Sequence, residues 1–209
     1  MDYVRLSASY LFNIEIDGKY LLIKSERRNQ YQPIGGCYKY YLESEDFLNT
    51  LGAIPERKSN GVESLMDLRL MVPKQNVDEL LAWYVSGIGR ETTYDREFGE
   101  ELLSLLTQEQ QAKFGKVDMC KQASGSFDIY FDKEKGIETI KPMDIVAVNL
   151  NAEQKEIIKR LCLKNKINVM LATGEEILKG TKKNADGTTV KIGDHTKNIL
   201  PVVQPQYGD

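Results

Sequence analysis

The chain has 209 residues, of which 41% are hydrophobic and 28% charged, with a formal net charge of -3 at pH 7. Such a length and apolar content suit one generous soluble domain with enough side chain to bury a core. The weakly acidic balance excludes broad nucleic-acid binding by phosphate neutralisation, while leaving room for a local basic pocket. In chain order, Ser9 to Ile16 and Tyr20 to Lys24 are β-rich runs around Asp17-Gly18, a hairpin signal. A polar turn with Arg27, Arg28 and Asn29 leads into a third strand, Gln32 to Tyr41, carrying Gly35-Gly36 and the aromatic residues Tyr38, Tyr40 and Tyr41. A short helix is predicted over Asp46 to Leu51, then a loop rich in Pro, Lys, Ser, Asn and Gly. Asp67 to Val72 alternates as a half-buried strand does and ends at Pro73; Val77 to Val85 reads as helix. Further strands are predicted over Ser126 to Phe131, Ile145 to Leu150 and Val169 to Ala172. Asn151 and Gln154 make a capping box for a helix through Leu163, and Thr173 opens another to Leu178. A loop follows from Asn184 to Gly193, and Pro201 to Asp209 reads as a frayed tail. Strands and helices without strict alternation predict an α+β sandwich.

The helix expected from Thr92 or Thr93 onward organises the rest. Tyr94, Phe98, Leu102, Leu105 and Leu106 give it an apolar stripe. On α-helical geometry Glu97, Glu100 and Glu101 share another face, since positions three and four apart are neighbours. Clustered carboxylates suit a hard cation such as Mg2+, which keeps several waters and takes phosphate oxygens. A solvated acidic face has the same composition. Gly35 and Gly36 offer bare N–H groups to an anion, or a simple strand bend. Arg27, Arg28, Lys39 and Arg69 are candidate phosphate contacts and Tyr31, Tyr38 and Tyr40 candidate aromatic faces, each against the ordinary reading as surface charge or packing.

Arg96-Glu97-Phe98-Gly99-Glu100-Glu101 resembles the second half of a Nudix box, and Gln32-Pro33-Ile34-Gly35-Gly36 is similar to its opening. The two halves are separated by an insertion of about residues 43–86. The intermediate glutamate is missing at its usual spacing, and Leu102-Leu103 stands where a glycine normally follows. With Asp67-Leu68-Arg69 and Arg90-Glu91-Thr92, this split pattern resembles the SMODS-associated Nudix family. The resemblance implies a single Nudix-like α/β/α sandwich with a mixed central sheet over residues 1–200. It also implies a role in CBASS antiphage defence, binding a cyclic di- or trinucleotide messenger at Arg27, Arg28, Tyr31, Gly35, Gly36, Lys39 and Arg69. Binding would drive homo-oligomer and effector assembly without requiring Mg2+. The alternative is a Mg2+-dependent Nudix hydrolase with Glu97, Glu100 and Glu101 as metal ligands, Glu101 the foremost ligand or base, and Arg96 orienting them. A protein-interaction module on the same scaffold is the third reading.

Cys37, Cys120 and Cys162 are odd in number and far apart, which fits a reducing compartment and no zinc site. Cys37 reads as packing. A lone His195 builds no histidine metal site. No window is apolar enough to span a bilayer, and the start is not a signal peptide. The resemblance implies a cytoplasmic domain, and relatives often carry membrane helices ahead of it that tether it to the inner membrane.

Overall fold

The computed structural model describes residues 2–25, 27–58, 61–62 and 66–201. The tail expected to fray, from residue 202 onward, and part of the loop near residue 60 lie outside these. The described chain is α+β with mixed sheets. It forms two compact units, each discontinuous in sequence. One comprises residues 1–10, 35–96 and 123–144, the other residues 11–34, 97–122 and 145–209. The chain passes between them inside the strands Ser9–Asn13, Asp118–Ser124 and Met143–Asn149, between Ile34 and Gly35, and between Arg96 and Glu97.

The first unit is built on a five-stranded sheet ordered Tyr130–Asp132, Ile137–Ile140, Tyr3–Ser7, Arg69–Pro73 and Ile54–Pro55. Tyr3–Ser7 runs antiparallel to Arg69–Pro73 and parallel to Ile137–Ile140. Strand alternation divides its side chains. Val4, Leu6, Leu70, Val72 and Ile140 are buried on one face. The cross-strand row Tyr130, Thr139, Arg5, Met71 and Ile54 occupies the other. Arg5 is 7% exposed in that row, where Glu56 accepts from its Nε at 2.9 Å; Lys135 approaches the second Glu56 oxygen at 2.9 Å. The helix Val77–Ser86 buries Val77, Leu80 and Tyr84, and left-handed Gly87 closes it.

In the second unit Lys19–Ser25 lies between Val169–Thr173 and Glu15–Ile16, and Gln30–Gln32 also pairs with it. Asp17 and Gly18 both have positive φ, 52° and 74°, as the mirror-image hairpin turn requires. The Asn151–Gln154 capping box starts Ala152–Lys164 as expected, and Thr173 and Glu176 cap Gly174–Lys179. A third capping box, Thr107–Gln110, opens a helix over Gln108–Phe114. Gln154, 3% exposed, donates to the carbonyls of Phe114 (2.7 Å) and Lys116 (3.1 Å), tying that helix's end to the long helix. In this unit's core Phe98 packs edge-on against Phe12 and tilted against Phe114, with ring centroids 5.4 and 6.2 Å apart.

Candidate functional site

In the first unit the part-buried ion pair Arg96–Glu91 holds the segment Arg90 to Arg96, and Arg96 ties that segment to the strand Gly35–Cys37 through the Cys37 carbonyl. Arg96 donates through Nε to Glu91 Oε1 and through a terminal nitrogen to Oε2, both at 3.0 Å, and to the Cys37 carbonyl at 2.8 Å. The Lys39 backbone N–H donates to Glu91 Oε2 at 3.2 Å, and the Glu91 N–H returns to the Lys39 carbonyl at 2.7 Å. Glu91 is 6% exposed. Both of its oxygens are engaged in holding the Gly-Gly strand against this segment, so it is a structural anion rather than a free base. Arg96 thus has an acidic partner five residues before it, in Glu91. Spacing could not expose that partner, because residues 91–94 are not helical.

Arg90 fixes the approach to Glu91. Its guanidinium sits 4.1 Å from the Tyr84 ring centroid and donates to the carbonyls of Tyr84 (2.6 Å) and Glu91 (2.7 Å). Tyr38 is buried and packs its ring 4.7 Å from Tyr10; its hydroxyl donates to Asp144 at 2.6 Å. Burial first, then the bond to Asp144, pushes the Tyr38 phenol far above its ordinary pKa. Tyr38 and Tyr40 therefore serve packing and offer no open ring face.

Cys37 donates from its thiol to the Ala8 carbonyl at 3.0 Å, and burial raises its pKa to about 12, with nearby Arg69 opposing. It is a packing residue and no nucleophile. Gly35, Gly36, Lys39 and Arg69 are all half-buried and belong to this unit, where the Lys39 backbone forms an isolated β-bridge with Asp67 and Arg69, paired with Asp67 at 3.7 Å, lies beside Cys37.

In the second unit Arg27 and Arg28 are exposed on the turn after Lys19–Ser25. Tyr31 is buried and donates to the Ile167 carbonyl at 2.6 Å, so its ring is committed to packing rather than to a base. The acidic helix is α-helical only over Asp95–Glu97, becomes a π-helix over Phe98–Leu102 and tightens to a 3-10 turn over Leu103–Leu105. The Leu103 N–H bonds back to both Phe98 and Gly99 carbonyls. The wider turn keeps Phe98, Leu102 and Leu106 buried at four-residue spacing. It also alters the angular spacing on which the shared acidic face depended. Glu100 is exposed while Glu97 and Glu101 are half-buried. Among the described residues no three His, Cys, Asp or Glu side chains are gathered to hold a metal ion.

Gly99 sits inside the π segment with nothing within 4 Å of a β-carbon built on it. Gly99→Ala is accordingly expected to stabilise the protein by about 0.5–1 kcal/mol, read as a raised denaturant midpoint at unchanged slope.

No helix of the described residues is long and apolar enough to cross a membrane. No curated protein matches the sequence. The SMODS-associated NUDIX domain model matches residues 3–200, nearly the whole chain, and the chain belongs to that family.

Proposed function

We propose that this domain binds a cyclic oligonucleotide second messenger in CBASS antiphage defence and, when occupied, promotes assembly of an attached effector. The observation that carries this reading is the commitment of Arg96 to Glu91 and the Cys37 carbonyl. That arrangement fixes the Gly-Gly strand against the Arg90 to Arg96 segment, and a rigid element of this kind lowers the ordering cost of binding a ligand beside it. Lys39 and Arg69 lie close to that strand in the same unit, and cationic side chains recognise phosphodiesters by charge-assisted hydrogen bonds. The exposed Arg27 and Arg28 are further candidates in the second unit. Hydrolysis, with Glu97, Glu100 and Glu101 as metal ligands, is the competing reading. A ligand drives assembly only through its differential affinity for the assembled state.

Lys39→Ala tests this with little risk to the fold, because the Lys39 bonds to Glu91 are made by its backbone. Titration with cyclic di-adenylate, cyclic di-guanylate and cyclic tri-adenylate by calorimetry is expected to show binding by the unsubstituted chain. Lys39→Ala should bind about tenfold more weakly, a loss of about 1.4 kcal/mol. Equal affinities would remove Lys39 from the site.

A further inference from the structure

We propose that this domain associates head to tail with a second copy of itself, an acidic-rimmed apolar patch on one unit receiving a basic-rimmed apolar patch on the other. The first patch is held by two hydrogen bonds. Tyr41 N–H and Ser44 Oγ both donate to the Gly89 carbonyl, at 2.8 and 2.9 Å, clamping the loop after Val77–Ser86 onto the turn at Leu42–Ser44. Leu42 is then 71% exposed and Ile88 73%, with Val85 and Tyr41 also bare, and the exposed Glu43 and Glu45 beside them. Single exposed apolar residues are ordinary, but a clustered set held on one surface marks an interaction site.

The second patch lies at the end of the helix Ala152–Lys164. Leu163 and Ile167 are 68% and 71% exposed on either side of the turn that Asn168 N–H closes onto the Asn165 carbonyl. The exposed Lys164 and Lys166 lie beside them, while Arg160 is already paired with exposed Glu156 at 3.1 Å. The units as wholes carry the same opposition. The first holds 11 Lys and Arg against 16 Asp and Glu, a formal -5, and the second 17 against 15, a formal +2.

Pairing unlike patches places acid against base and apolar against apolar. A two-fold contact of either patch with itself would oppose like charges. A heterologous contact of this kind repeats from copy to copy instead of closing at two, unless its rotation forms a ring. The inference extends the sensor reading, since it supplies the assembly that a bound messenger would favour.

The test is sedimentation of the full chain at rising concentration, without nucleotide, in low and high salt. The mass of the unsubstituted chain is expected to climb past that of a dimer, and high salt to suppress the climb. Ile88→Asp and Leu163→Asp should each stay monomeric alone and retain the same circular dichroism, because both positions are exposed. Mixed together they should form a one-to-one dimer that grows no further, since each keeps one intact patch. A chain that stays monomeric at every concentration, or variants that fail to pair when mixed, would overturn the proposal. Failure of the sensor reading alone would abolish nucleotide binding and leave this association intact.

Discussion

Glu91→Ala should lower the unfolding free energy by about 3–5 kcal/mol, the range for removing one partner of a buried ion pair. The expected value lies toward the lower end, because the Arg96 side chain retains 22% of its exposure and is partly screened. The loss comes less from the missing attraction than from leaving the guanidinium and the Lys39 N–H without their acceptor. Glu91→Gln keeps the shape but sets an amide N–H₂ against guanidinium donors, and should cost less than Glu91→Ala and more than 1 kcal/mol. Urea titration reads both. A change within about 0.5 kcal/mol for Glu91→Ala would mean that the pair does not hold the Gly-Gly strand.

Glu56→Ala should cost a similar amount, about 3–5 kcal/mol, because it strands Arg5 inside the sheet row with its side chain 9% exposed. Glu56 also makes stability depend on pH. Burial raises its pKa, but the hydrogen bonds from Arg5 and Lys135 and their charges more than offset that, and the net pKa is lowered. A carboxylate depressed in the folded state adds stability above its unfolded pKa and loses it as pH falls through the folded value. The unsubstituted protein should therefore weaken as pH drops below the ordinary glutamate range, near 4.5, and the Glu56→Ala variant should show a shallower fall over that window. Identical pH slopes would sink this account of the cluster.

Where a local signal and a tertiary contact agree, the sequence is readable. Asp17-Gly18 calls for positive φ at both positions and has it, and Asn151 with Gln154 caps the helix that follows. The Thr107–Gln110 box carries the same capping signal without a long apolar stripe after it to announce a helix. In the strand Tyr3–Ser7, Val4 and Leu6 alternate with Arg5 and Ser7 in the period of a half-buried strand. The strand expected over Ser126 to Phe131 is ordered as strand only from Tyr130, since the Ser126 hydroxyl turns the chain by bonding to Asp128.

The candidate site was legible in part. Arg96 and the double glycine stood out by pattern, and their connection through Glu91 did not, because it joins an extended segment to a strand more than fifty residues away in sequence. The π-helix over Phe98–Leu102 was equally hidden. Glu97, Glu100 and Glu101 share a face only if every turn is α-helical, and the four-residue spacing of Phe98, Leu102 and Leu106 suits either geometry. The aromatic residues mislead in the opposite direction. Tyr31, Tyr38 and Tyr40 look like base platforms in a strand beside arginines, yet each is buried.

The most direct test of the sensor reading is incubation with cyclic di-adenylate, cyclic di-guanylate and cyclic tri-adenylate, in Mg2+ and separately in EDTA. Thermal unfolding and chromatography of the recovered nucleotide are then read together. The account predicts that one nucleotide stabilises the fold, by about 2.7 kcal/mol at a hundredfold excess over Kd. That nucleotide should be recovered unchanged, and neither EDTA nor Glu101→Gln should diminish the shift. Nucleotide consumed in Mg2+ and spared in EDTA or by Glu101→Gln would contradict it and make the protein a metal-dependent hydrolase.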